Sequence, residues 1–197
     1  MPKFFTQFVF VIMYALSSTL SAQQTFEPID LQSKPQYVIS VNVAGENIGS
    51  MTLELNPKVA PKHVRNFDSL VAIHFYDSVL FHRIIPGFMI QGGDPNTKTK
   101  PRDRWGKADT SLKHIPAEFN ELHHVRGTVS AARGRDVNSA TTQFFICVDD
   151  RLDLDGNYSI FGMVISGMEV ADKIVELSRD EADRPVERVE MKIVRIK

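Results

Sequence analysis

The sequence predicts a mainly β fold in which short strands close into a barrel capped by two α-helices. Three observations lead to this fold class. About eight short segments have strand patterns bounded by turn residues, two further segments have helical spacing, and the 197 residues correspond to about one domain. This number of strands and helices favours a closed barrel with helical caps.

The domain begins with a predicted β-hairpin followed by a helix. Residues 37–43 (YVISVNV) alternate between apolar and polar positions, residues 45–47 supply a turn, and residues 48–55 return as a second strand. From Pro61, apolar residues recur at three- and four-residue spacing to about Ile73, which predicts an amphipathic helix. We expect the apolar side of this helix to pack on the barrel.

The rest of the chain supplies the remaining strands and the second helix. Helical spacing over residues 168–177 predicts that helix, and residues 186–196 are predicted to form the last strand. The other strand candidates are all short and end at turn residues. They lie at residues 79–85, 88–92, 128–132, 144–148 and 159–164.

One arginine stands inside the apolar strand at residues 79–85. Because side chains alternate between the faces of a strand, we predict that Phe81, Arg83 and Ile85 share one face and that His82 and Ile84 share the other. A buried, unpaired guanidinium is costly, since it keeps its charge and carries five donors. We therefore expect Arg83 at the floor of a peptide-binding groove. A carboxylate partner elsewhere in the chain is the alternative.

Composition and charge disfavour several kinds of site. With 43% hydrophobic residues, 24% charged residues and a net charge of −1, long-range attraction to nucleic acid or to anionic membranes is not expected. The basic loop at residues 96–113 is therefore interpreted as a solvated surface loop. The single cysteine, Cys147, is expected to be a buried, inert thiol. A metal site at His114, His123 and His124 is disfavoured, because His123 and His124 would diverge on an extended segment.

The first 22 residues are typical of a targeting segment. Lys3 precedes an apolar run at residues 8–16, and the small residues that follow favour cleavage after Ala22. The run is shorter than the roughly 20 apolar residues of a membrane-spanning helix, so a signal peptide is favoured over an uncleaved anchor, and no stable membrane insertion is expected after processing. We expect the protein in the periplasm or secreted. The predicted divisions are a signal peptide at 1–22, a linker at 23–36 and one domain at 37–197.

Four motifs, in their order along the chain, resemble those of the cyclophilin family of peptidyl-prolyl cis-trans isomerases. They are FHRIIPGFMIQGGDP at 81–95, GTVSAAR at 127–133, SATTQFFIC at 139–147 and LDGNYSIFGMV at 154–164. The resemblance spans about residues 37–197 and is in the style of the exported bacterial members. It implies an eight-stranded antiparallel closed β-barrel capped by two α-helices. It also implies an enzyme that rotates X-Pro peptide bonds and assists protein folding without a metal or cofactor.

The same resemblance assigns roles to individual residues. Arg83 is the implied catalytic arginine, with Gln91 and Phe88 completing the catalytic set. The implied substrate-binding residues are Met89, Ala132, Arg133, Gln143, Phe145, Leu154 and Tyr158.

Two further details follow from alternation and from the family pattern. Alternation along QFFIC predicts that Phe144 and Phe145 face opposite sides, so that only one of them lines the groove. The resemblance assigns Phe145 to the groove and Phe144 to the core. Asp153 departs from the family, which often has an aromatic residue, tryptophan in the best-known members, immediately before the LDG motif.

An arginine suits this reaction because no covalent bond has to break. The partial double bond of an X-Pro amide sets a rotation barrier of about 18 to 20 kcal/mol, and an N–H aimed at the prolyl nitrogen favours the pyramidal form found only in the twisted transition state. Phe88, Met89 and Phe145 would hold the proline ring, and Gln91 would orient the guanidinium or the adjacent carbonyl. The expected partners are proline-containing peptides and folding proteins, bound by a monomer. The alternative is a chaperone-like module that binds proline-containing segments with little turnover.

Overall fold

Eight antiparallel strands form a closed barrel in the computed structural model, which describes residues 33–107 and 111–197. The strands are β1 (Gln36–Val43), β2 (Glu46–Leu55), β3 (Val79–Ile85), β4 (Met89–Gly92), β5 (Thr128–Ala131), β6 (Phe144–Cys147), β7 (Ile160–Ser166) and β8 (Val189–Arg195). Their order around the barrel is β1-β2-β7-β5-β6-β4-β3-β8. The predicted fold class is therefore confirmed.

Three α-helices accompany the barrel within the described residues, and the sequence predicted two of them. These helices are α1 (Pro61–Ala72), α2 (Asn96–Thr99) and α3 (Met168–Val175). The helices α1 and α3 are the predicted ones, whereas α2 is a single short turn inside the basic loop. No helix in the described ranges is long and apolar enough to cross a membrane. The predicted signal peptide at 1–22 lies outside the described residues, as does most of the predicted linker, whose last residue, Gln36, already belongs to β1.

The barrel is filled by side chains that alternate along the strands. In β1, every second residue is buried, beginning with Tyr37. The apolar side of α1 covers one part of this core, and its Phe67 ring lies 5.3 Å from the ring of Tyr37, 5.2 Å from Tyr76 and 5.6 Å from Phe144. Such aromatic pairs contribute about 0.5 to 1.5 kcal/mol each beyond the area they bury. The interior is thus a packed core, and any binding site must lie on the outside of the barrel.

A β-bulge in β3 changes the predicted alternation over residues 81–85. The register between β3 and β4 shifts between Phe81 and Arg83, which leaves His82 as an extra residue. Phe81 consequently packs in the barrel core together with Ile84, while Ile85 packs against a separate cluster outside it. The prediction that Phe81 and Arg83 share a face is wrong, because a bulge reverses the alternation on one side of the extra residue.

Candidate functional site

Nine of the ten predicted site residues line one small cavity on the outer surface of the barrel, about 100 Å³ in volume. They are Arg83, Phe88, Met89, Gln91, Ala132, Arg133, Phe145, Leu154 and Tyr158. The tenth, Gln143, accepts a hydrogen bond from the side-chain amide of Gln91 at 2.9 Å. The structure therefore brings together residues that are up to 75 positions apart in the sequence. We refer to this cavity and its rim as the groove.

The floor of the groove is a small apolar cluster on the outer faces of β4 and β6. Antiparallel pairing places Met89 opposite Cys147 and Gln91 opposite Phe145. Met89, Phe145 and Cys147 are all buried and form a cluster of their own, separate from the barrel core. Phe144 packs in the barrel core, so alternation along β6 is confirmed. Burial raises the pKa of the Cys147 thiol to about 12, which keeps this cysteine protonated and unreactive near neutral pH.

Arg83 lies at the rim of the groove rather than buried beneath it. Its side chain is 42% exposed, and its Nε atom lies 3.8 Å from the Asp183 carboxylate. An exposed ion pair at this distance contributes little to stability. Among the described residues, the guanidinium makes no hydrogen bond, so its donors remain available to a bound peptide. The prediction that Arg83 lies at the floor of the groove is therefore wrong, and the predicted carboxylate partner is present only as a loose, exposed ion pair.

Two glutamines give the groove its polar side. Gln91 lies opposite Arg83 in the β3–β4 ladder, and its amide nitrogen donates to the Gln143 side-chain oxygen. The backbone carbonyl of Gln143 accepts from the backbone N–H of Ala132 at 3.0 Å. Gly93, with φ +89°, allows the backbone after β4 to pass close to the carbonyl of Thr142. These contacts hold the two amide side chains beside the arginine.

Arginines stack on two aromatic rings of the groove. The Arg151 guanidinium lies 4.0 Å from the centroid of the Phe88 ring, and the same guanidinium donates to both carboxylate oxygens of Asp153, at 2.8 and 2.7 Å. The Arg133 guanidinium lies 4.7 Å from the centroid of the Tyr158 ring. Cation–π contacts of this kind contribute about 0.5 to 1 kcal/mol at exposed sites. Asp153, the residue that departs from the family pattern, therefore holds an arginine against the groove.

A buried histidine behind the groove was missed by the sequence analysis. His124 is fully buried. Its Nδ1 lies 2.8 Å from Asp155, and its Nε2 lies 3.1 Å from the Ser130 hydroxyl. Its ring stacks on Phe145 with 6.1 Å between centroids and 14° between planes. Asp155, the acidic residue of the LDG motif, was the available signal for this contact. Nothing local in the sequence shows that its partner is His124.

His123 reaches the same carboxylate as its neighbour, with Nδ1 2.7 Å from Asp155. The prediction that His123 and His124 diverge is therefore wrong, because both rings turn toward one acceptor. Hydrogen bonds from His123 and His124 lower the pKa of Asp155 to about 2. Within the part of the chain that the structure describes, no group of three or more His, Cys, Asp or Glu side chains could hold a metal ion.

Comparisons with known proteins agree with this geometry. The family model described as "Cyclophilin type peptidyl-prolyl cis-trans isomerase/CLD" matches residues 38–196. A probable peptidyl-prolyl cis-trans isomerase of Brucella suis is 44% identical over 137 residues, which cover 68% of this chain and 70% of the relative. Peptidyl-prolyl cis-trans isomerase A of Dickeya dadantii is 37% identical over 174 residues, 86% of each chain.

Solved structures give the same result. A cyclophilin-type peptidyl-prolyl cis-trans isomerase of Cryptosporidium parvum superposes with a TM-score of 0.73 at 29% identity, covering 84% of this chain and 99% of the other. A second crystal structure of that protein, obtained in the presence of the dipeptide Ala-Pro, superposes with a TM-score of 0.71 at 30% identity, covering 82% of this chain and 99% of the other.

Proposed function

We propose a mechanism of X-Pro bond rotation for this protein, which belongs to the cyclophilin-type peptidyl-prolyl cis-trans isomerase family. The protein is therefore a peptidyl-prolyl cis-trans isomerase. In this mechanism, Arg83 donates an N–H to the nitrogen of a proline bound in the groove. One observation carries the proposal: an arginine whose guanidinium makes no hydrogen bond to other described residues lines the same small cavity as Phe88, Met89 and Phe145.

The chemical role of Arg83 follows from the electronic change during rotation. In the planar amide, the prolyl nitrogen shares its lone pair with the carbonyl, which sets the barrier of about 18 to 20 kcal/mol. In the twisted transition state the lone pair returns to the nitrogen, which becomes pyramidal and able to accept a hydrogen bond. A donor placed at this nitrogen is therefore bound more strongly in the transition state than in either ground state, which is the condition for catalysis.

The size of the cavity suits one proline ring. Its volume of about 100 Å³ is well below the roughly 300 to 1,000 Å³ of small-molecule pockets. We propose that the pyrrolidine ring enters against Met89 and Phe145, while the rest of the peptide crosses the surface beside Gln91 and Gln143. Because the ring is held and the flanking chain is not enclosed, the carbonyl of the preceding residue can turn about the C–N bond.

We further propose that the substrates are proline-containing segments of exported proteins. The Cryptosporidium relative was crystallised in the presence of Ala-Pro, which supports a proline-containing peptide as ligand. The charge and apolar run of residues 1–22 support export with cleavage after Ala22, and so a location in the periplasm or outside the cell. Purification from a bacterial host tests this step: a mature chain that begins at Gln23 is expected, and an intact Met1 end in the exported fraction would contradict it.

The Arg83→Ala variant tests the mechanism in a protease-coupled assay with an Ala-X-Pro-Phe peptide. Loss of one transition-state donor is expected to lower kcat/KM by about 10² to 10³, which corresponds to about 2.7 to 4 kcal/mol. The unfolding midpoint is expected to stay unchanged, since the side chain is 42% exposed and loosely paired. Turnover near the wild-type rate by the folded variant would show that Arg83 is not the catalytic donor.

Arg179 offers a matched control for this experiment. It contacts the same carboxylate, with Nε 3.7 Å from Asp183, and it is 38% exposed, but it does not line the groove. The Arg179→Ala variant is therefore expected to retain full activity. Tight binding of the peptide by the wild-type protein with no acceleration over buffer would instead identify a chaperone-like binding module.

A further inference from the structure

A second cavity lies between α1 and the segment at residues 113–116, and the mechanism does not use it. Its volume is about 410 Å³, about four times that of the groove cavity. It is lined by Lys62, Arg65, Asn66, Ser69, Lys113, His114, Ile115 and Pro116. None of these residues is acidic, and three carry a permanent positive charge. We call this cavity the basic cavity.

The positive charge of the basic cavity is not neutralised by the described part of the chain. Lys62 and Arg65 are three residues apart and therefore share a side of α1, and across the described residues neither they nor Lys113 form an ion pair. The acidic residue next to this segment is Glu118, but its carboxylate accepts from the backbone N–H groups of Lys62 and His63 at 3.0 Å and lies 2.7 Å from the His63 ring. The cavity thus concentrates positive potential that favours an anionic ligand.

The basic cavity is connected to the groove through the segment before β6, which carries Gln143. Asn66, which lines the cavity, donates to the backbone carbonyl of Thr141 at 2.9 Å, and Ile115 pairs with Ala140 in an isolated bridge. Thr141 precedes Gln143 by two residues, a span of at most roughly 7 Å in an extended chain. A polypeptide whose proline lies in the groove therefore needs only a few more residues to reach the cavity.

We propose that the basic cavity binds an acidic segment of the same polypeptide whose proline occupies the groove. This inference rests on the proposed function, because it assumes that substrate binds beside Gln143. Aspartate or glutamate side chains a few residues from the proline would pair with Lys62, Arg65 and Lys113. The amide of Asn66 and the hydroxyl of Ser69 add hydrogen-bonding groups to the wall. The cavity would make the enzyme prefer substrates that carry acidic residues near the proline.

Matched peptides test the preference. Each peptide contains one Ala-Pro-Phe core. One member of a pair carries a run of four glutamates, and its counterpart carries four glutamines at the same positions. The run lies about three to six residues before the proline in one pair and after it in the other. NMR titration measures Kd, and exchange between the cis and trans proline signals measures turnover. At low salt we expect the Kd of one glutamate peptide to lie about tenfold below that of its glutamine counterpart, since two or three exposed ion pairs add roughly that factor. About 1 M salt is expected to remove most of the difference.

Variants that remove positive charge show which surface causes the preference for glutamate peptides. The double variant Lys62→Gln, Arg65→Gln is expected to bind both peptides equally while turning over the short core peptide as the wild type does. The matched double variant Lys58→Gln, Lys192→Gln removes two exposed charges outside the cavity and is expected to keep the preference.

Two outcomes overturn the inference while leaving the proposed function intact. In one, the wild type turns over the short peptide but binds glutamate and glutamine peptides equally in both orientations. In the other, the glutamate preference persists in the Lys62→Gln, Arg65→Gln variant. A wild-type protein that fails to turn over the short peptide would contradict the proposed function itself, so the two failures are distinguishable.

Discussion

Replacement of His82 by leucine is expected to stabilise the protein and to reduce its sensitivity to acid. His82 is the extra residue of the β3 bulge, and its side chain is 2% exposed. Among the described residues, neither ring nitrogen has a hydrogen-bond partner at ordinary distance and angle. A buried polar group without a partner costs about 1 to 3 kcal/mol, so an apolar side chain of similar size is expected to raise the free energy of unfolding near neutral pH.

The acid sensitivity follows from the pKa of the same imidazole. Burial lowers the pKa of His82 to about 4; the Leu80 backbone weakly opposes this shift, and the charges of Arg83 and Arg184 add to it. The unfolded chain takes up this proton below about pH 6.5, whereas the folded chain takes it up only near pH 4. Because the unfolded state binds more protons between these values, stability falls as the pH falls. The loss is about 1.4 kcal/mol at pH 5.5 and about 3 kcal/mol at pH 4.

Urea unfolding of the wild type and the His82→Leu variant measures both effects. The difference in free energy of unfolding between the two proteins is expected to widen by about 1.4 kcal/mol from about pH 7.5 to about pH 5.5. Burial also lowers the pKa of His63, but His63 is present in both proteins and cancels in the difference. Val186→Leu serves as the control, because Val186 is exposed and carries no titratable group, so its replacement is expected to leave the pH slope unchanged.

A difference in free energy of unfolding that stays constant over this pH range would show that His82 does not have a lowered pKa in the folded protein. A variant that is less stable than the wild type at neutral pH would separately show that the imidazole contributes a favourable interaction. Unfolding is the chosen readout because His82 precedes Arg83, and activity could change for reasons unrelated to its titration.

Two further substitutions probe the faces of the barrel. Phe144→Ala is expected to lower the free energy of unfolding by about 3 to 5 kcal/mol. Phe145→Ala is expected to cost less stability but to raise KM for a proline peptide at least about tenfold, since losing an apolar contact of about 1.4 kcal/mol has that effect. Equal effects of the two variants on unfolding would show that both residues belong to one core. Gly167→Ala is expected to destabilise the fold by about 1 to 3 kcal/mol, because Gly167 has φ +86° and a Cβ atom there would overlap the Ser50 carbonyl. Gly156 has φ +69° but open space around it. Gly156→Ala is therefore expected to lower the free energy of unfolding by less in the same measurement.

The sequence predicts the structure best where a local pattern of residues determines it. Alternation places the strands and separates Phe144 from Phe145, and the family motifs assemble ten groove residues that alternation alone could not have brought together. The bulge at His82 was missed because it depends on how β3 pairs with β4, and the residues of β3 alone do not determine that pairing. The helix α2 was missed because four residues are too few to show helical spacing.

The contact of His124 with Asp155 was missed for a related reason. The two residues are 31 positions apart, and neither lies in a regular element, so no periodicity links them. Their side chains are brought together by the pairing of β5 with β6, which lie between them in the sequence. Interactions of this kind depend on long-range packing, which neither periodicity nor the family motifs describe.

The separation of the groove cluster from the barrel core determines how the protein can be altered. Met89, Phe145 and Cys147 form a cluster that is distinct from the core cluster, which contains Phe144 and Phe67. Changes at positions that share no contacts usually have independent effects on stability. A substitution on the outer face of β4 and β6 should therefore change the free energy of unfolding by about the same amount whether or not the barrel core also carries a substitution.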